Sequence, residues 1–158
     1  SMNRTPSRIV LAVATCATLV TGAAQAQLKP EDEIRYRQSV MNVMGRAMGP
    51  MGAMAQGKAP FNAALAQKNA GLVDSLIALP FSSYGPGTDK GAPTKADPKI
   101  WSDAPRFKQA SEVAQKAAAQ LLAASKAGDE AKFKAAFGEI GKACKSCHDN
   151  FRTKEFRN

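Results

Sequence analysis

Histidine is almost missing from this sequence: one residue, His148, in 158. Cysteine is scarce too, at three, and only 6% of residues are aromatic. A closed structural zinc site takes four ligands drawn mainly from histidine and cysteine, and no second Cys/His group exists to complete one. Valine and isoleucine are few while alanine dominates, so nothing signals a β-sheet core. Basic residues outnumber acidic ones, 22 against 13, for a formal net charge of +9. Such a balance can serve nucleic-acid binding. Here the cations are dispersed over helix faces without a basic run, and few aromatics lie between them, which argues against nucleic acid.

No apolar run approaches the roughly 20 residues needed to span a bilayer. The longest, "IVLAVATCATLV" from Ile9 to Val20, follows Arg4 and Arg8 and precedes small residues at Ala24 and Ala26. A basic start, a short apolar stretch and a small-residue cleavage site predict a secretory signal peptide over residues 1–26. The mature chain, 27–158, then has no membrane span, and export leads to a bacterial periplasm. It loses Arg4, Arg8 and Cys16, leaving Cys144 and Cys147 as its only cysteines. With both in one short motif, no disulfide framework supports the fold.

What is present in quantity is helical periodicity. A first helix is predicted over Pro30–Ala55, with proline in its first turn and Glu31, Asp32 and Glu33 at the positive end of its dipole. Ile34, Met41, Met44, Met48, Met51 and Met54 form its apolar stripe. Gly45, Gly49 and Pro50 predict a kink or break in its course. A second helix over Phe61–Leu79 presents Leu65, Leu72, Val73, Leu76 and Ile77. Prolines and glycines then mark one long loop, Pro80 to Ser102, pinned by Phe81, Tyr84 and Trp101; loops of this length often cover something. A third helix follows over Asp103–Ala127, with Phe107, Val113, Ala117 and Leu121 inward. Gly128 stops it and Asp129 caps the fourth. There Phe133, Phe137, Ile140, Cys144, Cys147 and Phe151 recur in steps of three and four, a narrow inward seam. The expected fold is all-α, an antiparallel four-helix bundle with one long loop between the second and third helices.

The stretch "ACKSCHDNFR" on that seam carries the chemistry. A redox Cys-x-x-Cys pair sits at a helix N-terminus, where the dipole favours a thiolate; this one lies in a C-terminal half. Zinc lacks ligands. Cys-x-x-Cys-His is the attachment signature of c-type haem. Cys144 and Cys147 would form the two thioethers, and His148 would ligate the iron. One covalent haem c per chain agrees with export, since attachment follows translocation.

A "CKSCH" on the last helix, preceded in order by "KPED", "YRQS", "ALPFSSYGPGT" and "KIWSDAPRFKQ", resembles cytochrome c′ over essentially all of Leu28 to Phe156. The resemblance implies a haem whose second axial position is closed by a non-bonding side chain of the first helix, here Met41. It also implies nitric oxide or carbon monoxide as ligand, with electron transfer to a partner protein as a further role. The alternative is a low-spin electron carrier in which Met41 bonds the iron opposite His148, since a thioether can do either. Arg37 and Gln38 match family positions that hold the haem propionates. Arg152 matches a basic residue lining the pocket on the His148 side; a helix continuing past His148 would carry it on the same face, about 6 Å along. Family members often pair through the first helix, which would make a homodimer, although the Ala- and Met-rich stripe serves packing within one chain equally well. Beyond the haem no catalytic acid, base or nucleophile is evident, so no enzyme is expected.

Overall fold

The computed structural model describes residues 28–157, so the signal-peptide reading of residues 1–26 lies outside the described residues. Among the described residues, five helices and two short strands follow one another. Helix α1 spans Pro30–Ala55, α2 spans Ala63–Leu76, and a 3-10 turn covers Leu79–Ser83. Strand β1 (Thr94–Ala96) precedes the single-turn α3 (Lys99–Ser102); α4 (Ala104–Lys126), α5 (Glu130–Phe151) and β2 (Arg152–Arg157) complete the chain. Helices α1, α2, α4 and α5 are the four-helix bundle, packed in a ring in which α1 meets α2 and α5, and α4 meets α2 and α5. No helix among the described residues is long and apolar enough to cross a membrane.

The predicted starts of the first and last helices are found, while α2 runs Ala63–Leu76 rather than Phe61–Leu79. Pro30 opens α1 with Glu31, Asp32 and Glu33 behind it. Asn62 Oδ1 accepts the Leu65 N–H at 2.9 Å to cap α2, and Asp129 Oδ1 accepts the Lys132 N–H at 3.0 Å to cap α5. Gly128, at φ +68°, makes the left-handed turn between α4 and α5. Helix α1 does not break at its glycines: it continues through Pro50 for 26 residues. Met44, Ala47, Met51 and Met54 are all buried on either side of the proline, and one missing N–H does not outweigh that continuous packing.

Three apolar positions expected inside face solvent instead: Leu65 (40% exposed), Leu72 (41%) and Val113 (52%). Small residues take their place. Ala66 and Ala70 of α2 meet Ala114, Ala117 and Ala118 of α4 in one core cluster with Val73 and Leu121. Methyl-sized contacts let two helices approach closely, whereas a leucine there would hold them apart.

A second correction concerns the chain's end. Arg152 leaves α5 with extended dihedrals, φ −129° and ψ 125°, and residues 152–157 pair antiparallel with β1, Thr94 opposite Arg157 and Ala96 opposite Arg152. The long loop is thus tied down by the C-terminus. Its aromatics hold it from within: Tyr84 packs edge-on against Phe107 at 5.0 Å and Trp101 at 6.0 Å, and Trp101 Nε1 donates to the Tyr84 carbonyl at 3.0 Å. At Gly91 (φ +111°) an added Cβ would lie 3.2 Å from Pro30 Cβ, so glycine is what lets the loop rest on the first turn of α1.

Candidate functional site

Of the four neighbouring pairs in the ring, α1 and α5 touch least. At one end of their seam lies a cavity of about 510 Å³, within the range of roughly 300–1,000 Å³ usual for cofactor and small-molecule sites. Helix α1 contributes Arg37, Gln38 and Met41; α5 contributes Cys147 and His148; β2 contributes Arg152. Six of the predicted site residues therefore meet in one place. Cys144 is not among the lining residues: one helical turn before Cys147, it packs half-buried against the main core.

The approach of Arg152 to His148 has a different cause from the one expected. It is not carried on a continuing helix, because α5 ends at Phe151 and Arg152 begins β2. It still lines the cavity with His148, and its positive charge, after burial, is the next cause holding the His148 pKa below the ordinary histidine value. Both causes favour the neutral imidazole, the form whose lone pair can ligate a metal.

Arg37 is not a solvated cation on the first helix. It is 2% exposed. Its Nη1 donates to the Ser83 carbonyl at 3.0 Å and to Thr88 Oγ1 at 3.2 Å, and its Nη2 to the Thr88 carbonyl at 2.7 Å. The guanidinium lies 4.4 Å from the centre of the Tyr84 ring. Burial lowers its pKa, but from so high a value that it stays charged. Gln38 is exposed and spends its Nε2 on the Pro93 carbonyl at 2.9 Å. Both residues fasten the loop to α1 while bordering the cavity.

Sequence reasoning did not foresee the aromatic wall. Phe81, Tyr84, Phe107, Phe151 and Phe156 also line the cavity. The loop aromatics gave a signal of packing, not of lining. Phe156 gave none, because it arrives through strand pairing. Burial pushes the Tyr84 phenol above its ordinary range, with Arg37 opposing.

These residues fit a haem. Burial raises the pKa of Cys144 and Cys147, so both are neutral thiols rather than the activated thiolates of a disulfide-exchange site. They lie a turn apart on one helix face, beside an imidazole and an aromatic-walled cavity bordered by Arg152, a cation suited to a carboxylate, and by Arg37, whose guanidinium is already engaged by the loop. Among the described residues no group of three or more His, Cys, Asp or Glu side chains comes together to hold a bare metal ion.

Comparison with known proteins shows the family. The family model for cytochrome c′ matches residues 32–152. A cytochrome c′ from Rubrivivax gelatinosus is 52% identical over 126 residues, covering 80% of this chain and 98% of the relative. The crystal structure of cytochrome c′ from Rubrivivax gelatinosus aligns with a TM-score of 0.77 at 52% identity, over 78% of this chain and 97% of that one. A nitric oxide complex of a variant cytochrome c′ from Alcaligenes xylosoxidans aligns with a TM-score of 0.76 at 43% identity, over 82% and 99% of the respective chains.

Proposed function

The chain belongs to the cytochrome c′ family, and from that premise we propose that it is an exported, non-enzymatic haem protein that binds nitric oxide or carbon monoxide. In this reading residues 1–26 are removed on export to the periplasm. One haem c is held per chain through thioethers to Cys144 and Cys147, with His148 as axial ligand. Arg37, Gln38 and Arg152 border the space for its carboxylates. Electron exchange with a partner protein accompanies gas binding.

One observation carries the proposal: the chain's only histidine already lines the cavity from α5, and the residue available from α1 is Met41. When bound, haem supplies an iron able to take a diatomic ligand and to change oxidation state. With His148 used, no second imidazole N–H remains to stabilise bound dioxygen, so nitric oxide and carbon monoxide, which depend less on such help, are favoured. Met41 is half-buried against the core cluster, and its three flexible torsions let it swing aside for a gas without disturbing α1. The neighbour in its nitric oxide complex supports the ligand class.

The alternative, an electron carrier with Met41 bonded opposite His148, is favoured by the same fact that both line one cavity. The visible spectrum of haem-loaded, dithionite-reduced protein separates the two. A broad, unsplit band that changes promptly with carbon monoxide is expected. Sharp α and β bands indifferent to the gas would establish the alternative, and a matured protein without covalent colour would end both.

A further inference from the structure

The ion pairs of the described residues all lie on helix faces: Asp32–Arg35 on α1, Lys108–Glu112 on α4, and the remainder along α5 and its cap. None involves the cations gathered around the β1–β2 ribbon. Lys95, Lys99, Arg106, Arg152, Lys154 and Arg157 have no carboxylate partner among the described residues. The contacts they do make are with neutral groups. Arg157 Nη1 donates to the Ala96 carbonyl at 3.1 Å, Arg106 Nη2 donates to Asn150 Oδ1 at 2.9 Å, and the Lys95 ammonium lies 4.7 Å from the centre of the Phe156 ring. Three carboxylates, Asp97, Asp103 and Glu155, are interspersed with them, so the region keeps a clear positive excess.

The ribbon also shows an exposed large apolar side chain near the end of β2: Phe156 is 63% exposed. Arg152 and Phe156 both reach the cavity, and Lys154 lies between them on β2, where the pairing with β1 shifts register. Exposed aromatics flanked by arginine are the composition of interface anchors. A uniformly anionic bilayer would be met by an unbroken basic face. Here acids alternate with the cations, a mosaic that suits a patterned protein surface.

We propose that the β1–β2 ribbon, with its unpaired cations around Phe156, is the docking surface for an acidic protein partner, which it brings to the mouth of the cavity. The inference rests on the proposed function only in what docking there accomplishes; the surface itself is argued from charge and exposure.

The test uses haem-loaded protein and, as probe, an acidic plant-type ferredoxin. Carbodiimide joins lysine amines directly to carboxylates, so mass spectrometry of the cross-linked pair reports which lysines meet the probe. Cross-links concentrated at Lys95, Lys99 and Lys154 are expected. The double variant Lys99→Glu/Lys154→Glu leaves the cavity lining intact and should weaken binding, measured by calorimetry at low ionic strength, by roughly fivefold or more. Lys68→Glu/Lys116→Glu changes the net charge equally on α2 and α4 and should weaken it less than about twofold. Equal losses for the two pairs, or cross-links spread over all lysines, would overturn the proposal. So would sedimentation of the chain with phosphatidylglycerol vesicles through the same cations while the ferredoxin fails to bind. Binding at the ribbon without electron exchange would support the surface and contradict only the electron-transfer part of the proposed function.

Discussion

Arg37 and Thr88 stand 51 residues apart, yet Arg37 Nη2 donates to the Thr88 carbonyl at 2.7 Å in a buried contact. With Ser83 and Tyr84 on the same guanidinium, α1 holds the loop that walls the cavity. Replacing Arg37 by alanine strands at least two buried loop carbonyls, and destabilisation by about 2–4 kcal/mol is expected in urea titration. Arg37→Lys keeps the charge but not the fork, and should recover less than half of it. Hydrogen exchange in residues 83–94 should rise in both, which separates loop release from general unfolding.

Phe133 is fully buried and packs on Phe61 and Phe137 at ring separations of 5.3 and 6.1 Å. Phe133→Ala should cost about 3–5 kcal/mol by loss of transfer energy and a residual cavity. Val113→Ala, at the solvent-facing position, should stay within about 0.5 kcal/mol. Similar denaturation midpoints for the two variants would contradict the packing described.

Tyr84 gives the alkaline dependence a sign. Its folded pKa is raised by burial, with Arg37 opposing. The neutral phenol is therefore favoured by folding. Its stabilising contribution is complete below the unfolded value of about 10 and is lost as pH rises through the folded one. Tyr84→Phe should flatten the fall in stability above about pH 10. In the haem-loaded protein, Tyr84→Phe should remove a tyrosinate absorbance step above about pH 10.

Met41→Leu removes the thioether and keeps the volume, a swap that cores tolerate at less than about 1.5 kcal/mol. If Met41 only packs, the reduced spectrum of the haem-loaded variant should match that of the parent. A sharp-banded parent that turns broad on substitution would mean the sulfur was bonded.

Cys144 and Cys147 differ in place, the first packed against the core and the second lining the cavity. Loss of either thiol should leave one covalent link, so that haem stain persists on a denaturing gel. Loss of both should abolish the stain. A stain surviving the double substitution would refute attachment through these residues.

The sequence by itself determined the four long helices, the Asp129 cap and the seam carrying Cys144 and Cys147, because caps, dipoles and three-to-four-residue periodicity act within a few residues of chain. It also carries the motif on which the proposed attachment rests, since Cys-x-x-Cys-His is contiguous and its histidine is unique. What only the tertiary structure decided depends on distant partners. Leu65, Leu72 and Val113 face outward because alanines on facing helices permit closer contact, and a single helix's pattern carries no information about its neighbour's side-chain size. Arg152 reaches His148 through a strand, not a helix turn, because residues 152–157 find their partners at Thr94–Ala96. Three-residue pairing across such a separation leaves no local signal. Arg37, expected at a propionate-holding position, is the buried anchor of the loop for the same reason: its acceptors lie on another segment, and only folding brings them within reach.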